Sequence, residues 1–259
     1  MAKIIDGRTI AEKIKNELKT KAKKTKAGLA IILVGNDPAS EIYVANKIKA
    51  CNEIGIRHEL YKYDNSTDDE ICGLIAKLNK DSGINGILVQ LPLPKNLDER
   101  KILYTISPEK DVDGFLPNSR FVPCTALGIM ELINSTGARL TGLHAVVIGR
   151  SNIVGKPVAK LLLDADCTVT MTHSKTRDIA VHTRMADILV VAVGKKGIIT
   201  ADMVKPNAIV IDVGISRHDD RICGDVDFNS VSKIAGHITP VPGGVGPLTI
   251  AMLLNNLLS

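Results

Sequence analysis

Apolar runs recur along this chain at the spacing expected of strands joined by helical crossovers. GLAIILVG (28 to 35), HELYKY (58 to 63) and GILVQLPL (86 to 93) look like strands, with helical spacing between them at about 40 to 53 and 68 to 80. The scheme repeats in AVVIGR (145 to 150), TVTMTH (168 to 173), DILVVAVG (187 to 194) and AIVIDVG (208 to 214), with helices expected near 155 to 164 and 178 to 186. Continuous apolar runs suit strands buried on both faces of a parallel sheet, and strand–helix alternation implies right-handed crossovers. The expected fold class is therefore α/β with two domains, each holding its own parallel sheet. Residues 1 to 119 are expected to form the first domain and 120 to 246 the second, with Pro117, Pro123 and a helical stretch near 125 to 136 at the connection. The apolar segment LTIAMLLNNLL (248 to 258) predicts a short helix, and residues 247 to 259 are expected to pack back on the first domain.

A chain of 259 residues with 45% apolar and 24% charged residues has ample core, which argues against disorder or a fibrous repeat. No apolar run approaches the roughly 20 residues that a membrane-spanning helix needs, so no membrane partner is expected. The N-terminus lacks an apolar export segment, and Asp6 and Glu12 argue against a transit peptide, which together suggest the cytoplasm. The five cysteines are scattered and form no C-x-x-C pair, which argues against a disulfide framework or a zinc site. Much of the lysine behind the net charge of +5 falls in residues 13 to 26, on the wet side of a helix whose apolar face is Ile10, Ile14 and Leu18. With no Trp and 3% aromatics, a base-stacking surface is hard to build, and anionic small molecules suit the charge better than nucleic acid.

Residues 143 to 177 hold the densest chemistry. They read as strand, glycine-bearing turn, helix and second strand, with Gly149, Ser151 and Gly155 where a pyrophosphate would meet a helix N-terminus. A site for NAD usually ends its second strand with an acid that accepts from the ribose hydroxyls. Here that strand ends in His173, Ser174, Lys175, Thr176 and Arg177, with Arg150 on the first turn, so donors and positive charge favour a 2′-phosphate and hence NADP.

In the first half, Ser40, Tyr43 and Lys47 fall on one helical stripe, Ser40 also being a candidate helix cap. In Val89-Gln90-Leu91-Pro92-Leu93-Pro94, Gln90 is a polar residue in an apolar run at the carboxyl edge of a strand and needs a partner, either loop backbone or a ligand. Lys110-Asp111-Val112-Asp113-Gly114 puts two acids beside a glycine turn, and with no further ligand cluster nearby a donor-rich heterocycle is a better partner than a metal. Residues 239 to 247, TPVPGGVGP, read as a stiffened loop whose Gly243 and Gly244 permit close backbone approach to a ligand.

Taken in order, SxxYxxxK, VQLPLP, KDVDG, GRSxxVGxP, HSKT and TPVPGGVGPxT resemble the bifunctional methylenetetrahydrofolate dehydrogenase/methenyltetrahydrofolate cyclohydrolase family over essentially the whole chain. The resemblance implies an N-terminal catalytic, folate-binding domain and a Rossmann-like NADP-binding domain facing each other across a cleft. It implies a pterin stacked on Tyr43, its amino-pyrimidine edge paired with Asp113, and Lys47 with Gln90 beside the one-carbon bridge. Ser40, Val89, Leu91, Pro92, Gly243 and Gly244 would line the substrate site. Gly149, Arg150 and Ser151 would meet the cofactor's phosphates and ribose, Ser174 the 2′-phosphate, beside the Arg177 already read as a cofactor-binding cation, and Ile215 the nicotinamide end. The family also suggests a homodimer built through the second domain.

This chain departs from the family's pattern where only Phe115 to Val122 link Gly114 to Pro123, a shorter connection than usual, and where Ala126 replaces a common proline. Two other readings stand beside this one: a shikimate-type NADP oxidoreductase, which would leave VQLPLP and PVPGGVGP unexplained, and a non-catalytic NADP sensor, which would give Lys47 and Gln90 no task.

Overall fold

The structure is a computed structural model describing residues 1 to 218 and 221 to 259. In chain order its elements are β1 (Lys3–Ile4), α1 (Gly7–Thr25), β2 (Gly28–Val34), α2 (Pro38–Ile54), β3 (Arg57–Tyr63), α3 (Asp68–Lys80), β4 (Gly86–Val89) and α4 (Glu99–Leu103). There follow α5 (Cys124–Asn134), β5 (His144–Ile148), α6 (Gly155–Asp164), β6 (Thr168–Thr172), α7 (Ile179–Thr183), β7 (Ile188–Val191) and β8 (Ile209–Asp212). The chain ends with β9 (Ser216–His218), β10 (Arg221–Cys223), α8 (Phe228–Val231), β11 (His237–Ile238) and α9 (Val245–Leu257).

Two compact units emerge, one of Glu12–Cys124 with Ile250–Ser259, the other of Met1–Ala11 with Thr125–Thr249. The division differs from the expected 1 to 119 with 247 to 259 and 120 to 246: residues 120 to 124 fall with the first unit, residues 247 to 249 with the second, and the N-terminal eleven residues also belong with the second, dinucleotide-type unit. The cause of this last difference is a two-residue strand, β1, that pairs in parallel with β11 (Lys3 with His237, Ile4 with Ile238). Both β1 residues are exposed, so no apolar pattern announces the strand.

In the first unit, β2 lies between β3 and β4 in a three-stranded parallel sheet. All seven residues of β2 are buried, as its unbroken apolar run requires. Ile32, Val34, Ile87 and Val89 meet Ile71, Ile75 and Leu78 of α3 in one core, each fully buried side chain contributing about 1.5–3 kcal/mol. Thr67 and Glu70 close a reciprocal capping box that sets the start of α3. The last turns of α9 also pack here, since a side chain at Gly86 would run into Val112 and Leu257.

In the second unit, six parallel strands follow the order β1-β11-β8-β7-β5-β6. The chain leaves β5 to one side for β6 and returns on the other side for β7, which makes the carboxyl ends of β5 and β7 the topological switch point. Antiparallel β9 and β10 form a separate hairpin, unforeseen in the pattern, between β8 and Asp225. The proline and glycine run is shorter as a loop than expected: Val245, Gly246 and Pro247 already belong to α9, because proline in a helix's first turn forfeits no hydrogen bond.

Candidate active site

Helix α2 begins where Asp37 accepts from Ser40 N (2.8 Å) and from Ser40 Oγ (2.8 Å). The cap is thus Asp37 rather than Ser40, worth about 1 kcal/mol, and buried Ser40 spends its hydroxyl on that cap. One turn later stands half-buried Tyr43, whose hydroxyl burial holds in the neutral form by raising its pKa. A further turn brings Lys47, only 8% exposed. Its ammonium donates to Gln90 Oε1 at 3.0 Å, a buried bond that bridges 43 residues of sequence. Gln90 follows β4 directly, its N–H extending the ladder to Ile32 O (2.8 Å). Its Nε2 donates to Leu91 O (2.7 Å), so both ends of the amide are committed and its oxygen is aimed at Lys47. Val89 is buried in β4, Leu91 half-buried and Pro92 exposed.

Asp113 lies on the next segment, which Ile87 and Asp111 join to β4 by a parallel bridge. The two acids of this motif have separate tasks. Asp111 accepts from Leu116 N (2.8 Å), and Ser119 Oγ donates to its carbonyl (3.2 Å), so the short Phe115–Val122 connection folds around it. The Asp113 carboxylate makes no hydrogen bond among the described residues, although the residue is 8% exposed. Its pKa is raised, first by burial, with the Lys47 charge opposing the rise and the Asp111 charge adding to it. A buried carboxylate kept waiting for donors, with a cation in its field, is a site for a ligand that brings its own N–H groups.

Two residues that the motifs missed hold this segment in place. Asn256 on α9 donates to Val112 O (3.0 Å), to Val122 O (3.1 Å) and to Cys124 Sγ (3.4 Å). Cys124 Sγ donates to Val112 O (3.1 Å). The signal for Asn256 was the same as for Gln90, a polar residue in an apolar run. Burial raises the thiol pKa well above normal at Cys124 and to about 12 at Cys51, so neither serves as a nucleophile here. Among the described residues no group of His, Cys, Asp and Glu is placed to hold a metal.

The second unit carries the dinucleotide motif. At Gly149 φ is +112°, and a side chain there would collide with the carbonyl of Ala192, which follows the neighbouring strand β7. A side chain at Gly155 would strike the Gly149 carbonyl, so both glycines let backbone pack against backbone where a pyrophosphate would lie. Ser151 Oγ accepts from Val154 N (3.2 Å) and Gly155 N (3.3 Å), capping α6, whose N-terminus is a ready anion site. Beyond β6, His173 O accepts from Thr176 N (2.8 Å), a turn that leaves Ser174, Lys175 and Arg177 exposed. The first acid beyond is Asp178, and it is spent accepting from Ala180 N (2.9 Å) at the start of α7. Arg150 is exposed on the glycine turn, and Ile215 is 50% exposed after β8. These residues fit a 2′-phosphorylated dinucleotide: the backbone cradle, the helix N-terminus and the unopposed cations are all present. Gly243 (φ +112°) and Gly244 sit in the turn before α9, where a side chain on Gly244 would press on Pro240 O. An open groove of about 420 Å³ lined by Lys3, Ile5, Thr9, Ser135 and His237 gathers none of these groups.

A three-stranded α/β unit holding a buried lysine, glutamine and aspartate, followed by a six-stranded unit with a glycine phosphate turn, defines an enzyme of the two-domain, dinucleotide-dependent α/β class. The catalytic-domain profile of tetrahydrofolate dehydrogenase/cyclohydrolase matches residues 5–113, and the profile of its NAD(P)-binding domain matches residues 123–259. The bifunctional protein FolD of Herminiimonas arsenicoxydans is 53% identical over 98% of this chain and 96% of its own. The crystal structure of the bifunctional methylenetetrahydrofolate dehydrogenase/cyclohydrolase from Campylobacter jejuni superposes with a TM-score of 0.96 at 48% identity, covering 100% of this chain and 98% of that one. The corresponding Trypanosoma brucei enzyme, solved with NADP and an inhibitor, gives 0.95 at 40% identity, covering 99% and 96%. This chain belongs to the tetrahydrofolate dehydrogenase/cyclohydrolase family.

Proposed function

We propose that this chain oxidises 5,10-methylenetetrahydrofolate to 5,10-methenyltetrahydrofolate with NADP and hydrolyses the product to 10-formyltetrahydrofolate, with Lys47, Gln90, Tyr43 and Asp113 as the groups that meet the folate. The observation that carries the assignment of residues is the buried hydrogen bond from Lys47 to Gln90, with the Asp113 carboxylate making no hydrogen bond among the described residues and lying in the field of the lysine. The family places the chain in this chemistry, which sets aside the shikimate-type and sensor readings.

Asp113 accepts from the amino-pyrimidine edge of the pterin, and the Tyr43 ring stacks on its face. Ser40, Val89, Leu91, Pro92, Gly243 and Gly244 complete the folate site. With the substrate so held, the carbon between N5 and N10 loses hydride readily, because a nitrogen lone pair stabilises the cation left behind. Catalysis of that step is chiefly orientation. When bound, NADP supplies the hydride acceptor. Gly149, Arg150 and Ser151 would hold its phosphates and ribose, Ser174 and Arg177 its 2′-phosphate, and Ile215 would meet its nicotinamide end. In the hydrolytic step water adds to the methenyl carbon, and the C–N5 bond then breaks. Lys47 moves the proton from the attacking water to the departing nitrogen while Gln90 holds its amine in place.

One absorbance trace with methylenetetrahydrofolate tests substrate, cofactor and second activity together, since the methenyl product appears and then decays. The kcat/KM for NADP is expected to exceed that for NAD by about 10- to 150-fold, as charged hydrogen bonds of about 1.5–3 kcal/mol require. Equal values for the two cofactors would contradict the reading of the acid-free turn after β6.

The chain works as a homodimer joined through its dinucleotide unit. Support comes from the unpaired outer edge of β6 and from exposed Leu163 (61%), Val181 (51%) and Met185 (51%) on the flanking helices and the turn after them. Sedimentation equilibrium at micromolar concentration is expected to give twice the chain mass of 27.8 kDa, and a monomer there would refute the pairing. A cytoplasmic setting suits Cys51, Cys72, Cys124 and Cys167, all of which are thiols. No helix among the described residues is long and apolar enough to cross a membrane.

A further inference from the structure

The carboxyl edge of the six-stranded sheet holds a second pair of buried acids, Asp212 (4% exposed) and Asp225 (0% exposed), which none of the roles above uses. Asp225 Oδ2 accepts from Val193 N (2.7 Å) and Gly194 N (3.0 Å), and its Oδ1 accepts from Lys195 N (2.6 Å). Three consecutive N–H groups converging on one anion form a nest. Here the nest closes on the chain's own carboxylate instead of a ligand. Asp212 Oδ1 accepts from Gly214 N (3.1 Å) and Asp225 N (2.9 Å), and Oδ2 from Val226 N (3.0 Å). The N–H of Asp212 in turn donates to Thr239 Oγ1 (2.8 Å). The packing leaves no slack: a side chain at Gly214 would collide with the Asp225 carboxylate, and one at Gly224 with that of Asp212.

One relay of hydrogen bonds therefore ties the loop after β7, the Gly214–Ile215 turn after β8 and the start of the Thr239–Gly244 loop after β11. These are the carboxyl ends of three adjacent strands, the edge where an open α/β sheet binds its ligand. The arrangement is costly for packing alone. Two carboxyl groups share one dry site, and burial, with the Asp225 charge adding to it, pushes the pKa of Asp212 up to about 6. The adenosine determinants, the Gly149 turn and the His173–Arg177 turn, lie on the other strands, β5 and β6, and no hydrogen bond of the relay reaches them.

We propose that Asp212 and Asp225 are positioning residues for the nicotinamide half of NADP, holding Val193–Lys195, Ile215 and the Thr239 loop in the shape that receives the ring. The proposal rests on the cofactor reading above, and a binding experiment separates the two. Titration calorimetry on the full-length chain would compare NADP with adenosine 2′,5′-bisphosphate, which keeps the 2′-phosphate and lacks the nicotinamide. Asp225→Asn is expected to weaken NADP about tenfold, the effect of losing charge-assisted bonds to the loop, and to leave the bisphosphate within about twofold of the wild type. Thr239→Val, which deletes one acceptor and keeps the shape, should give the same selectivity at about threefold, so the idea stays testable if Asp225→Asn does not fold. An equal loss for both ligands, or an unchanged NADP affinity in both variants, would overturn the positioning role. A wild-type chain that binds neither ligand would instead overturn the cofactor reading beneath it.

Discussion

Lys47→Met is expected to cut the decay of methenyltetrahydrofolate by at least about a hundredfold, the lower end of what a positioned proton-transfer group supplies. Methionine keeps the length and the apolar stem of a side chain that is 8% exposed, so the helix and its packing against the sheet should persist. What disappears is the amine that Gln90 Oε1 accepts from at 3.0 Å. Gln90 keeps its own bond to Leu91 O, so the amide remains anchored at one end and the site does not collapse. The assay is the loss of methenyl absorbance in buffer corrected for spontaneous hydrolysis, with a urea unfolding curve as the structural control. A variant that folds and hydrolyses at near the wild-type rate would remove Lys47 from the mechanism.

Asp113→Asn should raise the KM for methylenetetrahydrofolate about 10- to 150-fold, in line with about 1.5–3 kcal/mol for a hydrogen bond to a charged group. Asparagine preserves the volume but points an NH2 at a ligand edge that is itself a donor. The pH dependence follows from the direction of the Asp113 shift. Its folded pKa lies above the ordinary 3.8 because burial penalises the charge. Ionised Asp113 therefore opposes folding at neutral pH, and that cost fades as pH falls through the folded pKa. Folate binding runs the other way, since only the carboxylate accepts two donors: KM should climb on acidification, beginning above the pH at which a free aspartate would titrate. The Asn variant should lack that climb. An unchanged KM for the variant, or the same acid limb in both proteins, would detach Asp113 from the pterin.

Much of this site was legible before any fold was known, for local reasons. Tyr43 and Lys47 stand one turn apart because helix geometry converts a spacing of four into adjacency. Gln90 stood out as an amide inside an apolar run, and burial forced it to find a partner. The acid missing after β6 was visible as composition alone. The partners of Asn256, as distinct from its place in an apolar run, and the Asp212–Asp225 relay were not legible. Asn256 meets Val112 across 144 residues, and Asp225 meets Val193 across 32, distances at which no local period carries information. Asp212 reads in sequence as the end of an apolar strand, and only the loops that close over it make it an acceptor for three N–H groups. The N-terminal strand failed for a related reason: Lys3 and Ile4 are strand because β11 pairs with them, not because of their own pattern.

By itself, then, the sequence determined the two parallel α/β units, the helix stripe of Tyr43 and Lys47, and the glycine turn with its cations. Each follows from side-chain period, buried apolar runs or backbone conformations available within a few residues. The tertiary structure alone decided that Lys47 and Gln90 share a buried hydrogen bond, that the Asp113 carboxylate has no hydrogen-bond partner among the described residues while that of Asp111 does, and that the N-terminus completes the second sheet. Those outcomes depend on which distant segments exclude water from one another, and burial is a property of the folded whole.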